Sequence, residues 1–230
     1  MLDRPPLTWR RGTVWLVLVL VTGLPILTGA WHQSQQGWYP ESDNATIALL
    51  SGDTFSRHPP LLGMISTGGA ALKNPELHHP GPLELYILAP LAALTKNPGA
   101  GATVTVVLLN MASLAALAVA LRAIGGRRLV AGAFLAGALA LWGLGSDVPV
   151  SVWNPYVVAV PFAAFFGLVV ATVSVRRSML PWALAVGSFV AQTHLSYVGV
   201  VGLLMAWAVG ASAWQMVQVE PGTARRRAER

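Results

Sequence analysis

The chain has 230 residues, of which 54% are hydrophobic and 10% charged; soluble domains are about a quarter charged, so an ordinary soluble domain is excluded as the first reading. Its formal net charge of +6 would suit nucleic acid only if the basic residues formed one patch. They lie instead in small clusters between long uncharged stretches, so no nucleic-acid partner is expected, and the absence of cysteine excludes disulfide, thiolate-metal and cysteine-nucleophile chemistry.

A membrane-spanning helix needs about 20 mostly apolar residues, and the intervals free of Asp, Glu, Lys and Arg are long enough for several. Arg11 to Glu41 leaves 29 such positions, Lys96 to Arg122 leaves 25, Arg128 to Asp147 leaves 18, Asp147 to Arg176 leaves 28 and Arg177 to Glu220 leaves 42. Six spans are expected, at 13–31, 101–121, 129–145, 157–174, 179–193 and 197–214. The first is read as an uncleaved helix, because Gly29-Ala30-Trp31-His32 puts bulky residues where a signal-peptide cleavage site wants small ones. Within the loop 32–81, Ile47, Leu49 and Leu50 predict a short helix on the membrane surface, capped by Ser42 or Asp43. Pro59-Pro60 and Pro80-Gly81-Pro82 punctuate the loop. A connection of this length and apolarity is expected to pack against the outer face rather than to hang free.

Residues 82–95 are apolar but short, and carry Glu84 and Pro90. The excess of Lys and Arg on cytoplasmic loops settles their placement. If 82–95 stays on the outer side, 12 of the 15 basic residues fall on the cytoplasmic side, leaving Arg57, Lys73 and Lys96 outside. If it crosses, the cytoplasm keeps only Arg4, Arg10, Arg11 and Lys96. The expected fold is therefore all-α: a polytopic transmembrane bundle of about six spans over 1–214, with an outer loop at 32–96 and outer-face helices. The amino terminus is cytoplasmic, the compartment is the plasma membrane, and a basic tail at 215–230 is expected to be disordered.

Three polar segments meet on the outer face in this topology: the loop 32–81, the connection 146–156 (SDVPVSVWNPY), and Gln192-Thr193-His194-Leu195-Ser196-Tyr197. Ionisable groups at the ends of apolar helices are candidate site residues. Asp43 follows the first span and adjoins Glu41; carboxylates there suit a general base or oxygen ligands for a divalent cation such as Mg or Mn. Arg57, His78, His79, Asp147, Asn154, Gln192 and His194 are the other candidate binding residues. For Asp147 a plain turn role, and for His194 a wet interfacial position, stand beside the functional reading. His78-His79 lacks the helical i, i+4 spacing of a metal pair. Trp31, Trp38, Trp153 and Tyr156 are read as interfacial aromatics rather than a sugar platform.

The order of these parts resembles the GT-C class of membrane glycosyltransferases, which use polyprenyl-phosphate sugars. Asp43 in YPESDNA sits where that class has an acid after its first helix, HHPGPLELYILAPLAAL resembles its proline-rich turn and amphipathic helix, and His194 in QTHLSY sits where a cation meets the carrier phosphate. HPPLLGMIS, HHPGPLELYILAP, WNPY and QTHLSY together are similar to a group of actinobacterial integral membrane proteins assigned to glycosyltransferases. The likeness covers roughly 13–214, with two departures: the loop carries no clean double-acid motif, and Asn154 stands where an acid is common. It implies sugar transfer from a polyprenyl-phosphate donor to an acceptor hydroxyl, with Asp43 as base and Arg57 and His194 on the phosphate. Members are usually at least twice this length, so the chain is also read as an amino-terminal half working with a second membrane chain, or as a noncatalytic lipid-binding relative. A transporter fits less well, because the spans are nearly free of charge and Asn110 is their main internal polar residue.

Overall fold

The computed structural model describes residues 9–71, 73–95 and 97–228, with side chains described at 14–71, 73–95 and 97–217. Arg4, Lys96 and Arg230 of the charge count lie outside the described residues. Among the described residues ten helices follow one another: α1 (Trp9–Thr22), α2 (Leu24–Gln35), α3 (Ser42–Gly52), α4 (Gly68–Ala71), α5 (Leu83–Leu94), α6 (Pro98–Gly143), α7 (Asn154–Val157), α8 (Ala159–Ser174), α9 (Leu180–Thr193) and α10 (Val198–Ala228). The described residues form no strand, only an isolated antiparallel bridge between Ile65 and His78.

Three helical stretches are long and apolar enough to cross a membrane: Pro98–Gly143, Asn154–Ser174 and Leu195–Val217. A fourth is the pair α1–α2, bent by 51°. Pro25, in the first turn of α2, supplies no backbone N–H to continue the ladder from α1, which is the usual cause of a sharp kink. Helix α6 is two helices rather than one, since Gly126 stands at φ 70, ψ −155 inside it. That left-handed position separates the two spans expected at 101–121 and 129–145, at a residue type that takes such φ without a Cβ penalty. The expected span 179–193 is the 14-residue α9, about 21 Å long against a hydrocarbon core of about 30 Å. By length alone the count of six is therefore not reached.

Two further expectations change. The segment at 215–230, read as a disordered tail, continues α10 as helix to Ala228. At α3 neither Ser42 nor Asp43 is the cap: Glu41 is the N-cap, without a side-chain cap bond, and Ser42 enters the helix at φ 50.

Helix α5 has 12 residues, a rise of about 18 Å, too short to cross. Its Leu85, Leu88, Ala89 and Ala92 are buried against α3 and α6. Gly101 lets the α5 and α6 backbones approach closely, for a Cβ at that position would collide with the Leu91 carbonyl oxygen. The main core packs α6 against α8 and α8 against α9, around Val106, Ala120, Phe165, Leu168, Val169 and Ala183. The 3-10 turn Val148–Val150 is pinned to α6 by Asn110, whose Nδ2 donates to the Pro149 carbonyl at 2.9 Å.

Candidate functional site

The loop 32–81 is packed, as its apolar content requires. Gly63 N–H donates to the His79 carbonyl and His79 N–H to the Met64 carbonyl, so the 62–66 stretch and the 77–79 stretch run side by side. Gly81 N–H then donates to the Gln192 carbonyl, tying this loop to the end of α9. The connection after α6 is tied in from the other side: Trp153 Nε1 donates to Asp43 Oδ2 at 2.8 Å, and Ser151 Oγ donates to Asn44 Oδ1 at 3.2 Å. The three polar segments therefore meet at one end of the bundle.

Two polar regions result. The first is a cavity of about 630 Å³, lined by Asp43, Thr46, Leu50, residues 60–65 and His78. Its walls are mostly apolar, and its polar side chains are Asp43, Thr46 and His78. Asp43 is half-buried; with Oδ2 held by Trp153, Oδ1 remains for other partners. His78 Nδ1 lies 2.7 Å from the Gly63 carbonyl oxygen. A carbonyl can only accept, so Nδ1 carries a proton and donates.

The second region is closed. Asn154, 2% exposed, donates from Nδ2 to Glu84 Oε2 at 2.7 Å and to the Thr193 carbonyl at 3.1 Å. Glu84 is 3% exposed and its Oε1 is buried with no hydrogen-bond partner among the described residues. Burial holds its carboxyl well above the ordinary range, against the opposing bond from Asn154. Beside it His79 Nδ1 accepts from Leu195 N–H at 3.1 Å, and His194 Nδ1 accepts from Ser196 N–H at 3.3 Å. These two rings lie 4.9 Å apart, centroid to centroid. An N–H can only donate, so both imidazoles have the proton on Nε2, the reverse of His78.

Burial, then the neighbouring His194 and His78, push His79 down to about 4, with Asp43 acting the other way; burial also lowers His194. For His194 burial thus favours the hydrogen-bonding neutral ring over the protonated one.

Among the remaining candidates, Gln192 is half-buried, donates to Ser188 Oγ at 2.8 Å and packs over Gly81. Arg57 and Asp147 are exposed and do not line the cavity. Asp147 accepts from Ser146 Oγ at 3.3 Å, in keeping with turn chemistry. Glu41 is exposed beside Asp43. No group of three His, Asp or Glu side chains among the described residues is arranged to hold a metal ion; the pair Asp43 and Glu41 supplies carboxylate oxygens without a third such side chain, and no step below runs through a cation.

Sequence reasoning passed over two residues. Trp153 was read as an interfacial aromatic, yet its N–H holds the candidate base and its ring packs edge-on against Tyr156 at 4.8 Å. Glu84 was used only to argue that 82–95 does not cross. The signal for it was a carboxylate inside an otherwise apolar helix, which requires a partner wherever it is buried.

The architecture is that of an all-α protein with helices long and apolar enough to lie across a membrane. No known protein family, curated protein or solved structure matches the chain.

Proposed function

We propose that the protein is a multi-pass membrane glycosyltransferase of the GT-C type, with about six spans, a cytoplasmic amino terminus and its site at the outer face of the plasma membrane. The donor is a sugar on a polyprenyl phosphate and the acceptor is a hydroxyl. One observation carries the reading: Asp43 lines the cavity, and its carboxylate is held by Trp153, a side chain 110 positions away.

In the reaction the acceptor oxygen forms a bond to the anomeric carbon as the bond from that carbon to the phosphate oxygen breaks. The hydroxyl proton passes to Asp43 Oδ1, and the bonding electron pair leaves with the polyprenyl phosphate. Trp153 N–H fixes the rotamer, so that one carboxylate oxygen stays available as the acceptor arrives; positioning of this kind, with a general base, supplies roughly two to four orders of magnitude in rate. His194, as a neutral Nε2–H donor, is the group nearest to the role that the resemblance gives a cation. The mostly apolar lining also favours a second reading, a noncatalytic lipid-binding protein.

The two readings separate in proteoliposomes given radiolabelled polyprenyl-phosphate hexoses. Transfer that falls at least 100-fold in Asp43→Asn, with unchanged thermal unfolding, supports catalysis; no turnover with any hexose, or full turnover in Asp43→Asn, rejects it. Orientation is checked by labelling single cysteines at Leu61, Ser146 and Arg128, all exposed. The first two are expected to react from outside and the third from inside.

A further inference from the structure

The first turn of α3 is held from outside rather than by its own cap. Glu41, the N-cap, makes no side-chain cap bond, and Ser42 enters the helix at φ 50, so the turn lacks the side-chain partner that ordinarily fixes a helix start. Two side chains of that turn reach one connecting segment instead. Asp43 Oδ2 accepts from Trp153 Nε1 at 2.8 Å, and Asn44 Oδ1 accepts from Ser151 Oγ at 3.2 Å.

Ser151 makes a second bond with the same hydroxyl. Its Oγ accepts from the backbone N–H of Trp153 at 3.1 Å, so the group spends its proton on Asn44 and a lone pair on the residue whose ring holds Asp43. The result is a closed circuit: Asp43 to the Trp153 ring, the Trp153 backbone to Ser151, Ser151 to Asn44, and Asn44 back to Asp43 along the chain. One hydrogen bond leaves a side chain free to swing about it, and closing the circuit removes that freedom. The segment itself is anchored separately. Val152 is buried in the main core, and Asn154 is tied to Glu84 and to the Thr193 carbonyl. Loss of the Ser151 hydroxyl therefore opens the circuit without releasing the segment.

We infer that Ser151 is a positioning residue, whose hydroxyl fixes the Trp153 backbone against Asn44 and thereby the direction from which the indole N–H meets Asp43. Its consequence for turnover rests on the transfer reading above. Among the described residues Ser151 makes no hydrogen bond to Asp43, so its effect passes through Trp153.

Two substitutions of the same shape separate the hydroxyl from bulk: Ser151→Thr keeps it and Ser151→Val removes it. The full chain is labelled with 5-fluorotryptophan and read by fluorine NMR in lipid nanodiscs. It has nine tryptophans, and the Trp153 resonance is the one missing from Trp153→Phe. In Ser151→Val that resonance is expected to shift and broaden while the others stay in place, which also reports an intact fold. In Ser151→Thr it is expected near its native position. With a polyprenyl-phosphate hexose present, Ser151→Val is expected to lower turnover about tenfold, the size of one good hydrogen bond, with KM unchanged, and to cause no further loss in Trp153→Phe. Ser151→Thr is expected to recover what Ser151→Val loses.

A Trp153 resonance that stays put in Ser151→Val overturns the inference. So does equal displacement in Ser151→Thr, or a turnover loss that adds in full to that of Trp153→Phe. Should Ser151→Val disturb all the resonances, Asn44→Ala opens the same circuit from its other side, and there too an unmoved Trp153 resonance overturns it. A Trp153 resonance that follows the hydroxyl in a protein that transfers no sugar would leave Ser151 as the residue that holds the Trp153–Asp43 contact and reject the transferase. Asp43-dependent transfer that is equal in Ser151→Val and the native chain would do the reverse.

Discussion

The cavity around Asp43 and the closed cluster around Glu84 are built from the same loops, yet they treat charge in opposite ways. Asp43 is half-buried, with one oxygen tied by Trp153 and one left over. Glu84 is sealed and held by Asn154. The histidines divide along the same line: His78 donates from Nδ1, whereas His79 and His194 accept at Nδ1. The difference teaches that position along the sequence says little about the work a polar residue does. His78 and His79 are neighbours, and opposite backbone partners give them opposite hydrogen-bonding faces.

If one region acts and the other holds the fold, substitutions should divide in the same way. The largest effect belongs to Asp43→Asn, at least 100-fold in turnover with little change in unfolding temperature. Asn154→Ala should do the contrary. It strands Glu84 Oε2 and the Thr193 carbonyl, and a loss of about 3 kcal/mol is expected in denaturation of the detergent-solubilised protein.

The pH dependence sharpens the contrast. Glu84 is raised in the folded state, so its contribution is fully present below its unfolded value near 4.5 and is lost as pH rises. His79 is depressed from 6.5 to about 4, so its contribution is present above 6.5 and is lost as pH falls toward 4. As pH rises from 4.5 the two slopes oppose each other. Unfolding temperatures across pH 4 to 8 should show Glu84→Gln unmasking the acid loss, while His79→Gln, which still offers an acceptor to Leu195 N–H, unmasks the decline toward alkaline pH. Flat profiles in both variants would dissolve the distinction between the regions. The smallest change is expected from Ser42→Gly. It relieves a left-handed residue next to the base and should raise stability by about 1 kcal/mol, measured in the same melts.

Much of the fold was legible in the intervals between charges. The break of α6 at Gly126 falls between Arg122 and Arg127-Arg128, where the charge count required an end, and Pro90 with Glu84 marked a helix too short to cross. Asp43 was legible because an acid beside a first span is conspicuous. What escaped was anything decided by long-range hydrogen bonding. No local pattern says that Trp153 donates to Asp43 or that Asn154 satisfies a buried Glu84. Arg57 and Asp147 were selected for charge, and charge alone favours the solvated surface on which both lie. Burial, which favours the neutral ring of His194, is not visible in QTHLSY. The cap at α3 was misplaced by one residue because Ser42 takes a left-handed φ that its side chain gives no reason to expect.

The ties that build this end of the protein join Asp43 to Trp153, Glu84 to Asn154 and His79 to Leu195, at separations of 110, 70 and 116 residues. A chain made from its amino terminus emits the loop 32–81 long before any of these partners exists. Until the residues around 195 have been synthesised, His79 Nδ1 lacks its native donor and the cavity wall lacks its anchor to the end of α9. The site is thus complete only after α9 has been made, and a chain stalled before α9 would hold Asp43 and Trp153 without the tie from His79 to Leu195.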